Sequence, residues 1–262
     1  MLKRGPFDSW DVGTGAMDDG VGIMLISGHF DSWDVGTGAM DDAVGAVLIS
    51  GRFDSWDVGT GAMDDGVGIV LISGHFDSWD VGTGAMDDGG GVIICWEALR
   101  TIKALGLRPK RTIRAVFWAA EEQGMYGSNE YYARHSRNTS ERIVFVAESD
   151  IGAFEGSDLY FAGSPRSRAA MQAIANLASP LGTKLYRMAS PGGGEDVASW
   201  IDNDGVPGAW LENRNKNDYY FQFHHTAADT MSVFEPDDLD KTTALWTIMS
   251  YVISDLDAST LK

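Results

Sequence analysis

From Asp88 onward, apolar positions switch between two periods. In GGGVIICWEALRTIKALGL, Val92, Cys95, Trp96, Leu99 and Ile102 fall at i, i+3, i+4, i+7 and i+10, one stripe of a helix. Asp88 stands before it as an N-cap and Gly106 after it as a stop. The run Ile113–Ala120 is apolar enough for a buried strand, and a polar helix follows over about Gly127–Arg137. Further strands are expected at Ile143–Ala147, Leu159–Ala162, Lys184–Arg187 and Gly208–Glu212, and helices near Arg166–Ala178, Glu195–Asp202 and Pro236–Leu256. This alternation predicts an α/β fold, a mainly parallel sheet sandwiched between helices.

Upstream the pattern is a tandem repeat. FDSWDVGTGAMDD starts at Phe7, Phe30, Phe53 and Phe76, a period of 23 residues, with near-identical apolar runs between copies. Each unit offers one strand (Ile23–Ser27, Val47–Ser50, Val70–Ser73) and one acidic, Gly-rich loop, so the chain divides into repeats over 1–68 and a second unit over 69–262. The loops loosely resemble calcium-binding turns, without the EF-hand spacing or the RTX nonapeptide. They also explain the composition. The formal charge of the 262-residue chain is −18, and residues 1–88 carry −13 of it.

That acidity argues against a nucleic-acid backbone or an anionic membrane surface as partner. Cys95, the single cysteine, excludes an internal disulfide and a cysteine-cluster zinc site. No apolar run is long enough to span a bilayer, and the start MLKRGPFDSWDVG does not read as a signal peptide.

In open α/β sheets ligands bind beyond the carboxyl ends of the strands. There VLISG ends at His75, AVFWAA at Glu121-Glu122 and IVFVAES at Asp150. The strand near Gly208–Glu212 leads into a loop with His224-His225, and Asp87 follows His75 by twelve residues. Two imidazoles and several carboxylates suit divalent zinc. A pair of zinc ions needs a bridging carboxylate, and the chemistry needs a further, non-ligating carboxylate to move protons.

SGHFDSWDVGTGAMDDGGG, AEEQGMYGS, AESD and FHHTAADT, in that order, resemble the zinc exopeptidases with co-catalytic metals, the family of the bacterial leucyl aminopeptidases. The resemblance covers residues 69–262. It implies two zinc ions, one held by His75 and Asp150 and the other by Glu122 and His225, with Asp87 bridging and Glu121 as general base. It implies a cis peptide bond between Asp87 and Asp88. It gives Asp77 the role of accepting the second imidazole N–H of His75, and Asp229 the same role toward His225. The implied activity is hydrolysis of dipeptides or of terminal residues of short peptides.

Around these residues the sequence offers plainer assignments. His224 is the non-ligand of its pair, His135 a solvated residue and Cys95 a packing residue. Gly192-Gly193-Gly194 reads as a loop lining the cleft, with Glu195 or Asp196 beside it. Tyr219, Tyr220 and Phe221 either line the same cleft or pack in the core. Asn138-Thr-Ser is a glycosylation sequon. Family members carry an N-terminal helix and leading strands before the first metal histidine; here the repeats occupy their place. The copied strands Ile23–Ser27 and Ala46–Ser50 are expected to cover the sheet edge instead. His29 and Asp41 copy the spacing of His75 and Asp87 but lack the other ligands. Two other readings stand beside the enzyme: a truncated relative that binds metal without efficient turnover, and a calcium-binding repeat module. A homodimer and a secreted or lysosomal location are features of such relatives.

Overall fold

The computed structural model describes residues 21–25, 47–51, 68–137, 142–155, 157–187, 196–213 and 217–261, the first two as backbone strands. The repeat copies of His29 and Asp41, the sequon at Asn138 and residues 192–195 lie outside the described residues.

The strands are β1 (Val21–Leu25), β2 (Val47–Gly51), β3 (Ile69–His75), β4 (Thr112–Trp118), β5 (Ile143–Glu148), β6 (Ser157–Ala162), β7 (Leu185–Arg187) and β8 (Gly208–Asn213). The helices are α1 (Gly90–Ala104), α2 (Tyr126–His135), α3 (Pro165–Leu177), α4 (Ala198–Asp202), α5 (Asn217–Phe223) and α6 (Asp238–Asp255). All eight strands form one sheet in the order β1-β2-β4-β3-β5-β8-β6-β7. None of the described helices is long and apolar enough to cross a membrane.

The sheet is mixed, with parallel pairs, β6–β7 among them, in the majority and antiparallel pairs toward its margins. The central pairs β4–β3, β3–β5 and β5–β8 are parallel. Outside them, β2 runs antiparallel to β4 and to β1, and β6 antiparallel to β8. A parallel return needs a long crossover, usually helical. Only a short loop separates β5 from β6, so the chain reverses there.

Alternation along the central strands sorts the core into two layers. Val70 and Ile72 of β3, with Ile113, Ala115 and Phe117 of β4, face α1, α3 and α6 through Ile94, Met171, Trp246 and Met249. Ile69 and Leu71, with Val116 and Trp118, face α2 and α4 through Tyr131 and Trp200. The indole rings of Trp118 and Trp200 stack 6.0 Å apart. Cys95 is buried as expected, and its sulfur receives the indole N–H of Trp246 at 3.1 Å. His135 departs from its solvated reading: it is half-buried, its ring 4.1 Å from that of Tyr131.

Because helices cover both faces, β3 is buried along its whole length, and it delivers His75 at its carboxyl end. Ile72 is fully buried at the middle of this strand. Ile72→Ala removes three carbons from a site with little freedom to collapse, and about 2–5 kcal/mol of stability is expected to go with them. Denaturant unfolding measures this; a loss well under 1 kcal/mol would contradict the packing described.

Candidate metal centre

The side chains proposed from sequence come together beyond the carboxyl ends of β3, β4 and β5. His75 ends β3, Glu121 and Glu122 follow β4, and Asp150 lies just after β5. Asp87 sits in the turn before α1, and the Asp87–Asp88 peptide bond is cis. His225 follows α5, a helix formed where only a loop was expected.

Two ligand triads share Asp87. His75, Asp87 and Asp150 offer donor atoms all within 4.8 Å of one another, and so do Asp87, Glu122 and His225. His75 Nε2 is 3.0 Å from Asp87 Oδ1 and 3.0 Å from Asp150 Oδ1. His225 Nε2 is 2.9 Å from Glu122 Oε2 and 3.2 Å from Asp87 Oδ2. Ligands around a tetrahedral zinc with bonds of about 2.0–2.1 Å stand roughly 3.3 Å apart, close to these separations. Asp87 turns one oxygen to each triad, as a bridging carboxylate must. Asp87 Oδ2 and Glu122 Oε1 are buried and accept no hydrogen bond of normal geometry, and the donor set is all nitrogen and oxygen. The residues therefore fit a pair of divalent cations.

The electrostatics agree. Burial, reinforced by the charge of Asp150, pushes Glu121 up to about 8. Burial together with Asp87 pushes Glu122 up to about 7. Burial opposes protonation of His75, but Asp150, with Asp77 and Asp87, outweighs it and holds the imidazole well above the usual histidine range. These shifts mark crowded negative charge, the condition a cation relieves. His75 Nδ1 lies 2.9 Å from the backbone carbonyl of Asp77; since a carbonyl only accepts, Nδ1 carries the hydrogen and Nε2 faces the triad.

Three further carboxylates brace the peptide N–H groups of triad residues. Asp77 accepts the His75 N–H through its backbone carbonyl, while its carboxylate, 3.7 Å from His75 Nδ1, accepts the backbone N–H groups of Glu121 at 3.1 Å and Glu122 at 3.3 Å. Burial would raise its pKa, but the His75 ring and the Glu121 N–H prevail and hold it low. The Asp229 carboxylate faces away from the His225 ring and accepts from Met86 N at 2.7 Å and Asp87 N at 3.2 Å.

The third brace, Asp88, spans two elements. Its Oδ2 takes the His75 N–H and its Oδ1 the Gly91 N–H, both at 3.0 Å; Gly89, not Asp88, is the N-cap of α1, yet the Asp88 carboxylate ties the first turn of that helix to the end of β3. The slot exists because Gly74 and Gly91 lack side chains. A Cβ on either would lie 2.3–2.4 Å from the Asp88 carboxylate.

Left-handed backbone clusters at the same place. Ala120 (φ 57°), Met125 (φ 57°) and His225 (φ 56°) flank or belong to the ligand-bearing turns. Each conformation costs a residue with a Cβ on the order of 1 kcal/mol or more and persists because its surroundings hold it.

Other nearby residues separate cleanly. His224 belongs to neither triad; its ring stands 4.4 Å from that of His225. Tyr220 is buried and its hydroxyl donates to the Asp150 carbonyl at 3.1 Å, whereas Phe221 is exposed. A small, open pocket lies against Asp87, Glu122 and His225, walled by Trp79, Val81 and Gly82. Asp196 is buried and neither carboxylate oxygen has a donor of normal geometry; burial first, and then the charge of Asp150, pushes it up to about 7. The brace formed by Asp88 and the buried Glu148 were not picked out from sequence. An acidic residue inside the apolar run IVFVAE is the signal that could have found Glu148.

Known proteins carry the same pattern. The model of Peptidase family M28 matches residues 69–249. Carboxypeptidase Q of Bos taurus is 50% identical over 165 residues, which make up 63% of this chain and 34% of that protein. Carboxypeptidase Q of Homo sapiens is 49% identical over 165 residues, with the same shares. The chain thus spans about a third of the length of these curated relatives. Among solved structures, a peptidase M28 precursor from Shewanella amazonensis SB2B superposes with a TM-score of 0.69 at 32% identity, covering 81% of this chain and 45% of that one. BSAP, a zinc aminopeptidase from Bacillus subtilis, gives a TM-score of 0.61 at 19% identity, covering 81% of this chain and 50% of that one, a likeness of fold alone. With the family pattern running through every strand that feeds the two triads, this chain belongs to peptidase family M28.

Proposed function

We propose that the chain is a dinuclear zinc exopeptidase acting on dipeptides or on terminal residues of short peptides. The observation that carries this reading is the pair of triads sharing Asp87, with Glu121 beside Glu122 yet in neither triad. In this reading His75 and Asp150 would hold one zinc and Glu122 and His225 the other, with Asp87 serving both. When bound, zinc supplies Lewis acidity that acidifies a water and polarises the scissile carbonyl.

The protein's own groups do the rest. Glu121 takes a proton at its carboxylate from the attacking water and returns it to the leaving nitrogen. Its burial stabilises the neutral acid that this transfer forms and so favours the uptake of the proton. Asp77, by holding the N–H groups of Glu121 and Glu122, keeps base and ligand in fixed relation. We assign residues 69–262 to the catalytic unit and 1–68 to a repeat segment that supplies sheet edge. The start of the family match at residue 69 and the pairing of β2 with β4 support that division.

The relatives' names point to both peptide ends, carboxypeptidase Q and zinc aminopeptidase. Dipeptides blocked at one terminus or the other read the preference directly.

Glu121→Gln keeps the shape of the side chain and removes the base. Steady-state kinetics with zinc-loaded protein should show kcat/KM lower by about 10²–10⁴-fold. Two metals per chain should remain. Full activity in this variant would refute the role given to Glu121.

Metal binding must displace the protons that the crowded site favours. With Glu122 at about 7 and His75 held high, the protonated ligands compete with the cation below those values. Zinc affinity is therefore expected to climb as pH rises through 7, with proton release on binding, as calorimetry in buffers of different ionisation enthalpy would record. A flat profile would contradict the charge crowding described above.

A further inference from the structure

Asp229 lies four residues beyond His225, on the turn that carries this ligand, and only 3% of its surface is exposed. Its two carboxylate oxygens reach across to the other side of the site and accept the N–H groups of Met86 and Asp87. Its backbone carbonyl accepts twice more, from Thr83 N at 2.9 Å and Thr83 Oγ1 at 2.8 Å. Gly82 closes the same contact. A Cβ there would lie 2.5 Å from the Thr226 carbonyl, so the two segments touch at backbone distance.

Otherwise the His225 turn is held by local bonds, such as Thr226 N to the Phe223 carbonyl at 3.2 Å, and by the Trp79 ring set edge-on to the imidazole at 5.7 Å. His225 is in the left-handed region and its side chain is 46% exposed. By contrast, His75 ends a buried strand and is pinned by Asp88. The two triads therefore differ in how their histidines are supported, and Asp229 is the link between the less supported one and the shared Asp87.

We infer that Asp229 is a positioning residue that couples the two metal triads, fixing the His225 turn against the backbone of the shared ligand Asp87. This rests on the dinuclear reading above and says nothing of peptide turnover. Asn is the informative replacement. It keeps the volume of Asp229 but offers one acceptor oxygen where two N–H groups converge, leaving an NH₂ opposed to a donor.

The test is titration of the metal-free full chain with zinc, read by calorimetry, and with Co²⁺, read by its visible absorption. Asp229→Asn should bind the first metal as the unsubstituted protein does and the second about 10–100-fold more weakly, the usual cost of losing a group that orients a ligand. The Co²⁺ spectrum should change only in the second half of the titration. Thr83→Val, which removes one bond to the Asp229 carbonyl and leaves the carboxylate alone, should titrate close to the unsubstituted protein. The metal-free Asp229→Asn protein should melt within a few degrees of it.

Equal weakening of both metals, unchanged binding of both, or a metal-free variant that melts far lower or does not fold would overturn the inference, since Asp229 would then be fold support or dispensable. An unsubstituted chain that takes up fewer than two metals would overturn both the inference and the dinuclear reading. A chain that binds two metals in the expected pattern but hydrolyses no peptide would sink the hydrolytic reading alone.

Discussion

One carboxylate has to face two ways. Asp87 presents one oxygen to His75 and the other to His225, and these histidines lie 150 residues apart along the chain. Unlike charges placed around it would lock the site without any metal; the surrounding groups are instead mainly carboxylates, buried enough to resist ionisation. Much of the architecture nearby can be understood as the means of holding that unfavourable gathering together. Burial on both faces stiffens the sheet, and strands β3, β4 and β5 end at nearly the same level.

The braces follow a common rule. Asp77, Asp88 and Asp229 all accept peptide N–H groups belonging to residues of the triads or to their immediate neighbours. A carboxylate receiving two N–H bonds is a strong, directional clamp, because charge-assisted hydrogen bonds are shorter and stronger than neutral ones. Asp77, held low by its donors, adds negative charge to the site as it fixes the geometry, whereas burial pushes Asp88 and Asp229 up.

The sequence made the central elements legible because their periodicities are strong. The stripe Cys95, Leu99 and Ile102 of α1 is buried as the helical spacing requires. The seven-residue run of β3 is buried throughout, as its unbroken apolar character requires. The five triad residues were legible for another reason: each stands at a strand end or helix border inside a motif, and the order of the motifs is itself informative. What escaped was anything decided by tertiary geometry. The direction of β6 depends on the absence of a crossover helix. That the Asp229 carboxylate meets peptide N–H groups rather than an imidazole depends on a few ångströms that spacing along the chain does not encode. Helix α5 was hidden because NDYYFQF is rich in aromatic residues, which have no strong helical preference.

Cys95 carries a consequence unrelated to hydrolysis. Its sulfur is sealed between α1, the end of β3 and the indole of Trp246, and burial pushes the thiol up, far from the reactive thiolate. The chain has no other cysteine. Its chemistry toward electrophiles is therefore gated by separation of α1 from α6, so alkylation kinetics would serve as a built-in clock for opening of the major core layer.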